Sequence, residues 1–208
     1  MQKLLVLSLL ALLAAGGGPA QAHSDVMHDN AHVRVVKTTM HPHQPAPSQE
    51  GLRDRVLVYL DGGRVNRTGP DGKVEKIEFK AGEVRWAPSG TSIVENAGDQ
   101  AFQVIEIELK GASQPPVAGP ELDPLKVDPN HYRIELENER VRVVRVRFGP
   151  LENGVVHQHV RNYVVVYMTK QAKGDRGEVR LHLDEGTITH TENNPLNQPV
   201  ERIAVELK

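Results

Sequence analysis

Between residues 102 and 109 the chain alternates. Phe102, Val104, Ile105, Ile107 and Leu109 are apolar, and Gln103, Glu106 and Glu108 interrupt them. A period of two sends successive side chains to opposite faces of a β-strand. Valine-rich runs at 33–36, 56–60, 141–146 and 164–168 also favour strands, because branched side chains suit a pleated surface. The mixed acidic and basic stretches at 74–80 and 141–147 predict strands with one face in solvent. Turn chemistry separates the runs: Asp61-Gly62-Gly63, Gly69-Pro70-Asp71-Gly72, Ala81-Gly82 and Pro88-Ser89-Gly90. After residue 22 no strong helical period is visible. Many short antiparallel strands predict an all-β sandwich or jelly roll.

The first 22 residues follow a different rule. Lys3 precedes an apolar run at 4–15, Gly16-Gly17-Gly18-Pro19 breaks it, and Ala20-Gln21-Ala22 places small residues where a signal peptidase reads. The run is too short to span a bilayer as an anchor. A signal peptide over 1–22, cleaved near Ala22, predicts a soluble mature chain that is secreted or periplasmic. The His-containing segment that follows (His23, His28, His32) reads as a frayed, solvated terminus.

The mature chain repeats itself. Residues 30–59 align with 138–167 without a gap at an offset of 108, with ten of the thirty positions identical. The copies end alike, 105–110 answering 203–208 at an offset of 98, so the second has lost ten residues after Tyr167. Residues 111–130 hold five Pro and two Gly and read as a linker. The expected organisation is domain 1 at 23–110, the linker at 111–130 and a shortened domain 2 at 131–208.

Composition removes several chemistries. The 208 residues include no Cys, which excludes disulfides, thiol nucleophiles and thiolate metal sites. A net charge of −2 argues against a nucleic-acid or anionic-membrane partner.

Three motifs resemble those of cupins. Gly82 to Gly90 with Pro88 and a following Asn96 resembles the second cupin motif, His157-Gln158-His159 resembles the HxH of the first, and His190 with Asn194 keeps the H-x3-N spacing. The resemblance implies two tandem jelly-roll (double-stranded β-helix) barrels. Packed against each other, they would form an intramolecular pseudo-dimer. It also implies a metal site. His157 and His159 share a strand face, and His190 supplies a third imidazole if it aligns with Ser92. If it aligns instead with Trp86, it lies elsewhere. Three imidazoles suit one divalent Fe, Mn, Zn, Ni or Cu ion. The family's Glu ligand is missing, since Tyr163 and Val164 occupy its positions.

In repeat one, Gln49, Gly51 and Ser92 stand where the ligands would be, so that barrel is expected to hold no metal. His41 and His43 fall eight residues too early to replace them. Arg161, matched by Arg53, would hold a carboxylate if it faced inward and be a solvated charge if outward. Tyr59, Tyr167 and Trp86 read as core. Two functions follow. One is a non-catalytic or weakly metal-binding protein that binds a small-molecule ligand or packs barrel on barrel. The other is a metal-dependent oxygenase or isomerase, with Tyr163 as an acid or hydrogen-bond donor and Arg161 orienting an anion.

Overall fold

The structure is a computed structural model, and it describes residues 21–47, 52–111 and 121–208. The signal-peptide reading falls almost wholly on residues 1–20, outside the described residues, as do Gln49 and Gly51. Among the described residues no helix is long and apolar enough to cross a membrane.

Repeat one contributes β1 (His23–Asp29), β2 (Val33–Met40), β3 (Arg55–Tyr59), β4 (Gly63–Thr68), β5 (Val74–Phe79), β6 (Val84–Ala87), β7 (Ile93–Asn96) and β8 (Phe102–Leu109). A single turn, α1 (Pro124–Val127), follows; the Asp123 carboxylate caps it by accepting from Leu125 N at 3.0 Å. Repeat two contributes β9 (Tyr132–Glu137), β10 (Val141–Phe148), β11 (His157–His159), β12 (Tyr163–Tyr167), β13 (Val179–His182), β14 (Ile188–His190) and β15 (Val200–Leu207). Each repeat forms one five-stranded antiparallel sheet, β1-β2-β8-β3-β6 and β9-β10-β15-β12-β13. The opposite wall is β5-β4-β7 in the first and β11-β14 in the second.

The pairing shows where the repeats diverge. Val56 pairs with Trp86 on β3 and β6, and Val164 with Leu181 on β12 and β13. Trp86 therefore corresponds to Leu181, not to His190. Gly82-Glu83-Val84-Arg85 recurs as Gly177-Glu178-Val179-Arg180, and both glycines have positive φ, 82° and 78°. Farther along, the bridge Pro45–Glu95 is matched by Asn153–Asn193. That places Ser92 opposite His190, as the first alignment expects. The second copy has lost the β4–β5 hairpin, and a shorter insertion precedes β14.

The central strands of the two large sheets are buried on both faces, while the edge strands β1 and β9 are largely exposed. Along β3, Val56 and Val58 point one way and Arg55, Leu57 and Tyr59 the other. One core takes Val33, Val56, Ile105 and Ile107 from repeat one and Val141, Val164, Ile203 and Val205 from repeat two, so the sheets share an apolar layer. Met40, Tyr59, Val65, Phe79, Phe102 and Val104 cluster along the first barrel's inner wall. Tyr132, Val144, Val146, Phe148 and Val200 line part of the second. The expectation of a half-exposed face on residues 141–147 is therefore corrected. Arg142 and Arg145 are covered because each is paired: Arg142 with Glu206 and Asp123, Arg145 with Glu135 and Glu201.

The N-terminal histidines also depart from expectation. β1 is zipped along β2, and His28 Nε2 lies 3.3 Å from the Val179 carbonyl. His32 Nε2 lies 2.9 Å from Asp184 Oδ2. The segment is tied to repeat two rather than frayed.

Candidate metal centre

Two paired strands deliver the site. On β11, His157 and His159 flank Gln158, so alternation turns both imidazoles inward while Gln158 turns away. β14 runs antiparallel beside it, and His157 sits directly opposite His190. One ligand atom from each of His157, His159 and His190 lies within 4.8 Å of the others. The ring centroids are 4.5 Å apart for His157–His190, 5.1 Å for His157–His159 and 5.2 Å for His159–His190.

The second turn of the site is fixed by the Asn of H-x3-N. Asn194 is buried; its amide donates to the carbonyls of Gly149 (2.7 Å) and Gln198 (2.7 Å), and its oxygen accepts from Leu196 N (3.0 Å). Asn96 does the same in repeat one, donating to the Met40 and Gln100 carbonyls and accepting from Gly98 N. The asparagine is thus a structural clamp that closes the turn after the histidine position.

Protonation favours ligation. His157 Nδ1 lies 2.9 Å from the Val155 carbonyl, so that nitrogen carries the proton and Nε2 keeps its lone pair. Tyr132 lies 3.3 Å from His157 Nε2, but its hydroxyl proton goes to Glu192 Oε2 at 2.6 Å. His159 Nδ1 faces the buried Glu206 carboxylate at 3.8 Å, whereas His190 Nε2 is buried without a hydrogen-bond partner. Buried polar atoms with no partner are rare and point to something unseen. Burial lowers the His157 pKa and takes His190 down to about 4, with Glu192 opposing and the neighbouring imidazoles assisting in the latter. Neutral imidazoles with buried lone pairs are the donor set a borderline divalent ion requires. The residues fit a metal ion.

Around the imidazoles the chain supplies groups that sequence reading did not single out. Glu192 lies 2.9 Å from the Arg202 guanidinium. Burial raises its pKa, but Arg202 and the Tyr132 hydrogen bond prevail and hold the carboxyl below its ordinary value. Glu192 stands two residues after His190 but beyond the end of β14, so strand parity gave no signal for it. Tyr132 and Arg202 come from β9 and β15 and had no local signal. Tyr163, at the first position of the missing Glu ligand, is buried and sandwiched between His159 (4.6 Å) and His182 (4.5 Å). Burial pushes its phenol pKa far up, so it stays protonated.

Arg161 follows the end of β11, so strand parity does not decide its direction. It lines, with His159, Arg142, Glu206 and Lys208, a recess of about 150 Å³. His41 and His43 join no metal-ligating group among the described residues, and His43 pairs instead with Asp99 at 3.3 Å. Tyr59 and Tyr167 are core residues; Trp86 is half-buried, packing against the shared layer while lining the first barrel's cavity.

No family model matches the chain, and no curated protein matches it. Solved structures do. Oxalate decarboxylase from Bacillus subtilis superposes with a TM-score of 0.62 at 10% identity, over 89% of this chain and 71% of that one. Protein Ylba from E. coli gives 0.61 at 13% identity, over 95% and 89%. A cupin 2 conserved barrel domain protein from Leptotrichia buccalis gives 0.54 at 8% identity, over 92% and 91%. At such identities the likeness shows the fold: this is an all-β chain of two tandem cupin-type jelly rolls.

Proposed function

We propose that this protein is a metal-binding tandem cupin whose second barrel holds one divalent transition-metal ion on His157, His159 and His190. The reading is carried by three buried or half-buried imidazoles whose ligand atoms lie within 4.8 Å of one another, with His190 Nε2 otherwise unpartnered. Bound there, an ion of the Fe, Mn, Zn, Ni or Cu class supplies Lewis acidity or redox capacity. Asn194 and the β11–β14 pairing hold the imidazoles, and Tyr163 shields His159. The shared apolar layer supports the view that the two barrels act as a built-in dimer. The apolar run at 4–15 followed by Ala20-Gln21-Ala22 supports export from the cytoplasm.

The test is elemental analysis of protein produced without an affinity tag. About one ion per chain is expected, with loss in His157→Ala/His159→Ala and retention in His41→Ala/His43→Ala. Failure to bind any of the five metals after dialysis against each would overturn the reading.

A catalytic role is favoured by one observation. Three protein ligands leave coordination positions open, and a protonated Tyr163 phenol is stacked beside the site. Water-proton relaxation on the Mn-loaded or Cu-loaded protein distinguishes the cases. Fast-exchanging water on the ion supports catalysis, and its absence indicates a closed structural site.

A further inference from the structure

The first barrel lacks the histidines but is not filled. It holds a half-open cavity of about 550 Å³, within the range of organic-ligand sites. Met40, Leu57, Tyr59, Phe102 and Val104 give it apolar and aromatic walls, and the charged side chains that also line it are already matched, Arg67 by Glu75 and Arg85 by Glu83. Its floor is polar: Arg55 Nε lies 3.2 Å from Glu106 Oε2, and Thr38 donates to Glu106 Oε1 at 2.8 Å. Both charged residues are nearly inaccessible, 6% for Arg55 and 7% for Glu106.

The second barrel serves as an internal control. By strand register, Arg55 corresponds to Tyr163, Glu106 to Ala204 and Thr38 to Val146. The same fold therefore closes without a buried ion pair at this place. Such a pair is a poor source of stability, because desolvation offsets most of its attraction. Barrel one also keeps the β4–β5 hairpin, which barrel two has lost, and Val65 and Ile77 on it wall the cavity. Repeat one has thus exchanged a metal site for a lined chamber with a charged floor.

The floor specifies the guest. A carboxylate head would meet Arg55 already neutralised and would face the Glu106 charge. An ammonium head would meet the reverse. An uncharged group that donates to Glu106 and accepts from Arg55 satisfies both. We propose that the first barrel binds an uncharged, largely apolar small molecule carrying a hydroxyl or primary-amide head seated against Arg55 and Glu106.

The probes are 3-phenylpropanamide, 3-phenylpropanoate and 3-phenylpropylamine, which differ in head-group charge on one phenylalkyl body, and isothermal titration calorimetry reads their binding. The amide should bind with an affinity about tenfold or more above either charged twin, the discrimination of one or two well-made hydrogen bonds. Arg55→Tyr/Glu106→Ala installs the second barrel's own residues, so it should fold, as checked by circular dichroism, and lose that preference. Leu57→Trp narrows the chamber without touching the floor, and calorimetry should show weaker binding of all three probes. His157→Ala/His159→Ala should bind the amide normally, which separates this site from the metal centre. No binding of the amide at millimolar concentration, equal or tighter binding of a charged twin, or an unchanged preference in Arg55→Tyr/Glu106→Ala overturns the proposal.

Discussion

At the scale of single residues, the two asparagines show how a motif position can belong to the fold rather than to the chemistry. Asn96 and Asn194 make the same three hydrogen bonds in two barrels, of which one has a histidine beside it and the other a serine. Asn194→Ala should destabilise the protein by about 1–3 kcal/mol, the cost of stranding buried carbonyls and an amide. Denaturant unfolding checks this, and Asn96→Ala should cost a similar amount although no metal ligand is near it. A much smaller loss for Asn96→Ala would mean that the asparagine serves the imidazoles after all. The imidazoles themselves were legible because HxH announces its own strand parity. The direction of Arg161 was not, because the strand stops at His159 and parity lapses in the turn.

At the scale of elements, the correspondence between the repeats turns on two tight turns, one before β6 and one before β13. Gly82 and Gly177 both adopt the left-handed region, where a Cβ costs about 1–2 kcal/mol. At Gly177 a Cβ would also come within 2.9 Å of Leu60 Cδ1, whereas at Gly186, φ 69°, it would meet nothing within 4 Å. Gly177→Ala should therefore lower the melting temperature more than Gly186→Ala, and differential scanning fluorimetry reads the difference. The four-residue identity around these glycines was present in the sequence. A single gap of ten obscured it, because the true change is a lost hairpin partly offset by a later insertion. Strand positions were readable from period two. The strand at 141–147 misled because a strand buried on both faces can carry arginines when each is paired with carboxylates on the neighbouring strands or with Asp123.

At the scale of the whole molecule, the barrels are joined by a common interior rather than by a tether. Ile105 and Ile203 are both fully buried in that layer. Ile203→Ala should cost about 2–5 kcal/mol, and calorimetry should show both barrels melting in one lowered transition rather than the second alone. Charged clasps ring the layer. Arg145 donates to the Gly82 carbonyl of repeat one (2.5 Å) and lies 2.8 Å from Glu135. Burial raises the Glu135 pKa, but Arg145 and Arg133 outweigh it and leave the pKa below its usual value. A depressed carboxyl pKa contributes stability above the unfolded value, near 4.3, and that contribution is lost as pH falls through the folded one. Stability should thus drop in acid below about pH 4, and Glu135→Gln should flatten that part of a urea-midpoint profile.

The place of β8 and β15 in their sheets has a kinetic consequence. Each is the last strand of its repeat in sequence yet lies in the middle of its five-stranded sheet, between β2 and β3 or between β10 and β12. Neither sheet can close until its final strand emerges, and loop closure over such separations slows folding. Once β8 arrives, repeat one can form its sheet, but the outer face bearing Ile105 and Ile107 stays wet until repeat two is made. A nascent half-molecule therefore carries an uncovered apolar face, a surface of the kind that invites aggregation, until its own twin is made.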